Sequence, residues 1–237
     1  MLPLLLDVAG WRIYSYPLLV GFAWGIAFRL AEGRLPASIG SRQFSFWVLG
    51  LFLSSWVGAK LLFLATPSAY DARELVTASS FWLGGGFVFL GGLLGGFFYT
   101  LIVGGVLPRF RPTTMQFTLV PLLWGHAIGR LGCFLAGCCF GTQTDLPWAV
   151  HLHGFDRHPV QLYEAAGLAG LALVLKNRKN LLAEYLVGYG ALRLLVEFFR
   201  GDEIRGAILG LSTSQWIALP MILVGAIIFL RKSRALD

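Results

Sequence analysis

Four ionisable side chains fall inside long apolar stretches of the sequence: Lys60, Arg130, Arg193 and Glu197. Charge within a membrane span is costly, so such residues face a protein interior or water and mark candidate functional sites. Tyr189, Arg193 and Glu197 recur every four residues, which lines them along one helix face. His126 stands four residues before Arg130 and shares its face in the same way. A guanidinium stays charged when buried, so Arg130 and Arg193 carry full charges wherever they sit. Plainer roles stay open for each. Arg130 at a helix end can anchor the interface, His126 can pack, and Lys60 can snorkel. An Arg193–Glu197 pair can simply tie helices together, although buried pairs stabilise poorly against apolar side chains of similar volume.

Two further runs carry chemistry. Arg157-His-Pro-Val-Gln-Leu-Tyr-Glu164 opens an apolar segment, and Pro159 suits a first helical turn. His158, Gln161, Tyr163 and Glu164 then crowd hydrogen-bonding groups at one interface, more than capping or an aromatic belt requires. Cys133, Cys138 and Cys139 form a Cys-x4-Cys-Cys cluster. That spacing fits zinc sites poorly. A buried, inert cluster is the expectation, with no metal and no cofactor, and three cysteines in one run make no disulfide framework.

The elements that must position these residues are membrane helices. Of 237 residues, 57% are hydrophobic and 13% charged, with a mean hydropathy of +0.71. A soluble domain of this length is nearer half apolar and a quarter charged. The net charge of +7 sits in short clusters between apolar stretches, which fits membrane topology and argues against nucleic acid as a partner. With about 20 apolar residues needed per span, seven helices are expected. They run about Tyr14–Leu30, Phe44–Leu64, Phe81–Val106, Met115–Leu131, Pro159–Leu175, Leu182–Phe199 and Thr213–Leu230. The third contains Gly84-Gly-Gly and further glycines, which let a helix or lipid chain approach the backbone. Alternate loops hold Arg29, Arg34 and Arg42; Arg109 and Arg111; Lys176, Arg178 and Lys179; and Arg231, Lys232 and Arg234. The opposite loops mix Arg73, Arg157, Arg200 and Arg205 with Asp71, Glu74, Asp145, Asp156, Asp202 and Glu203. The positive-inside rule then puts the N-terminus outside and the C-terminus in the cytoplasm. The expected fold is an all-α, polytopic integral membrane protein, one transmembrane domain over residues 1–237 with an outer-side loop at about 132–158. No cleavable signal peptide is expected, because Asp7 and Arg12 interrupt the first apolar stretch.

Several blocks, in order along the chain, resemble the prolipoprotein diacylglyceryl transferase family. Tyr14 with Val20-Gly-Phe matches its first helix, and Gly85-Gly-Phe-Val-Phe-Leu-Gly-Gly its glycine-rich segment. Gly129-Arg-Leu-Gly-x-Phe-x-x-Gly-x-x-x-Gly141 matches its signature. His158-Pro-x-Gln-Leu-Tyr-Glu164 and Gly188-Tyr-Gly-x-x-Arg-x-x-x-Glu-Phe-Phe-Arg200 match two further blocks, and Gln215 and Pro220-Met fit near the end. The resemblance implies a seven-helix bacterial inner-membrane enzyme with its site toward the outer side. Such an enzyme transfers diacylglyceryl from phosphatidylglycerol to the lipobox cysteine of a prolipoprotein and releases glycerol phosphate. It implies that Arg130 and Arg193 are the essential arginines and that Tyr14, Gly141, Tyr189 and Glu197 occupy functional positions. His158, Gln161, Tyr163 and Arg200, in the matching blocks, join them as expected substrate-binding residues. The chain departs from the family at Leu90, where a histidine is usual, and at Cys133, Ala136 and Cys138, where the signature has two asparagines and a glutamate.

That reaction needs a held phosphate, a thiolate as nucleophile and acyl chains left in lipid. With leucine at position 90, His126 is the candidate general base. Activation of the substrate thiol by the arginines alone, or a covalent intermediate on Cys133 or Cys138, are further routes. Other classes also stay open: a paralogue acting on another lipid or acceptor, an anionic-lipid transporter, a non-catalytic binder, and a metal or redox protein built on the cysteines.

Overall fold

A computed structural model of the chain describes residues 4–8, 11–65, 89–178, 180–201, 207–208 and 211–234. Outside the described residues lie the Gly84–Gly86 run and the first residues of the third expected helix. Asp71, Arg73, Glu74, Lys179, Asp202, Glu203 and Arg205 lie outside them too.

Seven α-helices stand among the described residues: α1 (Ser15–Glu32), α2 (Ser41–Ala65), α3 (Phe89–Val106), α4 (Leu119–Ala136), α5 (Val160–Leu175), α6 (Leu181–Glu197) and α7 (Thr213–Arg234). All seven fall where the apolar runs put them. Among the described residues, three stretches are long and apolar enough to cross a membrane: Ser41–Ala65, Pro108–Ala136 and Ser214–Arg231. Large apolar side chains turn outward along α1, α2, α3 and α7, among them Phe22, Phe46, Ile102 and Leu223. An apolar surface of that extent belongs against lipid rather than water. The architecture fits an all-α membrane protein.

Among the described residues three short antiparallel hairpins accompany the helices: β1 (Leu4–Val8) with β2 (Trp11–Tyr14), β3 (Val150–Leu152) with β4 (Phe155–Arg157), and β5 (Ala207–Ile208) with β6 (Leu211–Ser212). The sequence expectation contained none of them. Strands of two to five residues give too little alternation to register as a pattern.

The chain forms two compact units, Leu35–Met115 and the combination of Met1–Arg34 with Gln116–Asp237. In the smaller unit α2 packs on α3. A β-carbon on Gly58 would lie 2.3 Å from the Gly91 carbonyl oxygen, so these helices touch backbone to backbone. The glycine-rich run thus serves helix packing here. Lys60 of α2 is buried, with Nζ 6.0 Å from the centre of the Trp56 ring.

The larger unit carries the site. Val120, Leu123 and Ala127 of α4 meet Leu168, Ala172 and Leu175 of α5 in its core, and Tyr185, Tyr189 and Leu192 of α6 pack against them. The end of α4 departs from expectation. The helix continues five residues past Leu131 to Ala136, because Gly132 sits inside it and the stop lies at Gly137. Gly137 takes φ 73°, its N–H donates to Phe134 O and the Cys138 N–H to Cys133 O. This pair of bonds is a Schellman closure, which needs a left-handed residue after the last turn. The loop between α4 and α5 therefore starts at Gly137.

Candidate functional site

Three helices bring their polar residues to one place. On α4 the helical repeat puts His126 and Arg130 on one face; on α6 it does the same for Tyr185, Tyr189, Arg193 and Glu197. Between them α5 contributes Glu164, 1% exposed. Arg130 Nη2 donates to Glu164 Oε1 at 2.9 Å, and Arg193 Nη1 lies 3.6 Å from Oε2. His126 Nε2 is 3.8 Å from Oε1. Arg193 Nη2 is also 3.0 Å from Glu197 Oε2 and donates to Ser214 Oγ, at the start of α7, at 2.7 Å. The His126 ring meets Tyr189 edge-on at 5.5 Å, and Tyr189 stacks on Tyr185 at 5.8 Å.

One buried carboxylate thus holds two buried guanidiniums. Desolvation makes such a cluster costly unless every charge is matched. Arg200 also lies in electrostatic range of Arg193. Arg130 Nε and Arg193 Nη1 are buried and make no hydrogen bond among the described residues. A buried N–H without an acceptor is destabilising, so these donors are suited to an incoming anion.

A second cluster lies in the loop between α4 and α5 and at the end of α6. The Gly141 N–H donates to His158 O, the His158 N–H to Thr142 O, the Thr142 N–H to Phe199 O and the Gly201 N–H to Phe140 O. These bonds stitch three separated segments together and pair Gly141 with Arg200 in an isolated antiparallel bridge. A β-carbon on Gly141 would lie 2.6 Å from His158 Cβ, His158 O and Val160 Cγ2, so only glycine fits. Arg157 braces the turn, donating to Gly141 O at 3.2 Å with its guanidinium 4.5 Å from the Phe140 ring centre. Tyr163 Oη accepts from Trp148 Nε1 at 2.7 Å and lies 3.3 Å from His158 Nδ1. Gln161, buried, donates to Cys138 O at 2.6 Å. A mainly apolar groove of about 430 Å³ runs past Trp148, His158, Tyr163, Leu192, Val196 and Phe199.

Arg130, Arg193, His126, Tyr189 and Glu197 therefore assemble around Glu164, while Gly141, His158, Gln161, Tyr163 and Arg200 share the loop cluster. Tyr14 caps α1 at the end of β2, half exposed, outside both. Two participants were missed in the sequence. By sequence Glu164 is one interfacial group among several, and Ser214 is an ordinary serine near the start of an apolar run. A carboxylate five residues into an apolar 16-residue helix was the available signal for Glu164; nothing marked Ser214. The cysteines also converge: the Sγ atoms of Cys133, Cys138 and Cys139 all lie within 4.8 Å of one another.

Comparison with known proteins agrees with the signature blocks. The family model described as prolipoprotein diacylglyceryl transferase matches residues 3–231. The phosphatidylglycerol–prolipoprotein diacylglyceryl transferase of Bordetella parapertussis is 33% identical over 258 aligned positions, covering 98% of this chain and 95% of that protein. The protein of the same name from Clostridium tetani is 30% identical, with 97% of each chain covered. That from Aromatoleum aromaticum is 38% identical over 75% of this chain and 72% of its own length.

Proposed function

This chain belongs to the prolipoprotein diacylglyceryl transferase family, and from that premise we propose that it transfers diacylglyceryl from phosphatidylglycerol to the lipobox cysteine of a prolipoprotein. The carrying observation is the buried Arg130–Glu164–Arg193 cluster with His126 beside it. The buried donors Arg130 Nε and Arg193 Nη1 suit the oxygens of a phosphodiester. The substrate thiolate attacks the glyceryl carbon bonded to the phosphate oxygen. A C–S bond forms, the C–O bond breaks, and glycerol phosphate leaves with the electron pair and a second negative charge. Arg130 and Arg193 stabilise that charge where it develops, an effect of several kcal/mol in a dry site, or roughly 10²–10³ in rate for each donor. His126 takes the thiol proton. Glu164 holds both guanidiniums, and Tyr189, Glu197 and Arg200 complete the surroundings of the headgroup. Gly141, His158, Gln161, Tyr163 and Tyr14 belong to the substrate-binding surface.

In this reading the seven helices span the bacterial inner membrane as a single transmembrane domain. The N-terminus and the site face outward and the C-terminus faces the cytoplasm, a reading that the loop charges support. The acyl chains stay in the bilayer, and neither a cofactor nor nucleic acid takes part.

The test is reconstitution with labelled phosphatidylglycerol and a lipobox peptide. Wild type should yield diacylglyceryl-peptide, and Arg130→Ala and Arg193→Ala should yield none above background. Lipid movement across the bilayer without product from folded wild type would favour a transporter. Peptide binding without product would favour a non-catalytic member of the family.

A further inference from the structure

The proposed transfer uses none of the three cysteines, yet the fold gathers them. Cys133 lies in the last turn of α4, and the Schellman closure at Gly137 turns the chain back over it. The Cys138 N–H reaches Cys133 O at 3.2 Å, and Cys138 Sγ lies 3.6 Å from the same oxygen. Cys139 then takes φ 59°, a left-handed conformation unfavourable for a residue with a β-carbon. Strain of that kind clusters at functional sites. Gln161 of α5 pins the turn through its bond to Cys138 O. All three residues are reduced thiols, with Cys133 buried, Cys139 partly covered and Cys138 exposed.

We propose that Cys133, Cys138 and Cys139 form a three-sulfur binding site for one soft d10 cation, with Cu(I) and Zn(II) as the ions of that chemistry. Metal–sulfur bonds of about 2.3 Å put the sulfurs of a trigonal site about 4.0 Å apart. The observed separations, all within 4.8 Å, need less than about an ångström of closure. Thiolates select soft ions such as Cu(I) and Zn(II) over hard ones. The nearby His153 is engaged, with Nε2 2.9 Å from Gly137 O. The cluster itself therefore offers three donors, which suits trigonal Cu(I) directly and Zn(II) with a water as fourth ligand. The exposed Cys138 gives the ion a way in. The Cys-x4-Cys-Cys spacing fits zinc sites poorly along the chain, but the helix cap at Gly137 brings the sulfurs together.

The test uses the full chain in detergent, reduced, metal-free and without oxygen. One sample is titrated with Cu(I) against a copper chelator and a parallel one with Zn(II) against a zinc dye. Wild type should keep one equivalent of one of these ions. X-ray absorption should show three sulfurs around Cu(I), or three sulfurs and one oxygen around Zn(II). Cys133→Ser, Cys138→Ser and Cys139→Ser should each weaken retention by more than the roughly 10- to 100-fold that loss of an outer-shell partner costs. Metal content no higher than in the triple Cys→Ser variant would overturn the proposal. So would a shell with fewer than three sulfurs, or a disulfide that persists in the reduced protein. The absorption spectrum of wild type decides the matter even where a serine variant fails to fold.

Discussion

Replacing Glu164 with glutamine removes one negative charge from beneath two arginines. The carboxylate is 1% exposed and lies 2.9 Å from Arg130 and 3.6 Å from Arg193. At an effective dielectric of about 20, each attraction is about 5 kcal/mol before desolvation is subtracted. Removing one partner of a buried pair costs about 3–5 kcal/mol, because the survivor stays buried and unmatched. Glu164 serves two guanidiniums, which pushes toward the upper end, whereas the amide oxygen keeps a hydrogen bond to a charged guanidinium of about 1.5 kcal/mol. The expected loss is about 3–4 kcal/mol, or a fall in melting temperature on the order of 10 °C for a chain of this length. The kinetic signature is more specific. Unpinned arginines drift from the transferring phosphate, and an ångström of misplacement costs about 10²-fold in rate. The cluster meanwhile gains positive charge, so binding of the anionic lipid does not weaken. Glu164→Gln should thus lower kcat about 100-fold without raising KM for phosphatidylglycerol, measured by product formation in lipid of graded composition. The exposed His151–Asp156 pair supplies the control: Asp156→Asn should change stability by less than about 0.5 kcal/mol. A Glu164→Gln enzyme with the melting temperature and kcat of wild type would falsify the hub role of this carboxylate.

The loop and the base are tested separately. Gly141→Ala forces a β-carbon to within 2.6 Å of His158 and Val160, and overpacking of this kind costs about 1–3 kcal/mol. Thermal unfolding should show that loss; an unchanged transition would mean that the loop tolerates a side chain there. His126→Gln should lower kcat by about 10²–10⁴ with little change in KM for the lipid, and full activity in that variant would remove His126 from the mechanism.

The positions of the helices were legible because a bilayer imposes a long apolar run on each span, and these runs are separated by charge. The stripe of Tyr189, Arg193 and Glu197 was legible because a helix repeats every 3.6 residues, which places side chains without knowledge of any neighbour. The end of α4 was not. Gly132 resembled a stop as much as Gly137 did, and only the backbone closure at Gly137 distinguishes them. The small hairpins escaped for want of length. Glu164 shows the larger limit. The sequence announced a carboxylate in an apolar helix, but its partners come from α4 and α6, separated from it by about thirty residues on either side. Which charge answers which is decided when the helices pack, since a buried charge takes whatever partner the packing supplies. The cysteines make the same point at shorter range. Their spacing described an unpromising cluster, and a helix cap with one left-handed cysteine brought three sulfurs together. The sequence by itself determined the membrane-helix character and the family; the tertiary structure decided which polar residues meet, because local periodicity sets a residue's face and only packing sets what that face touches.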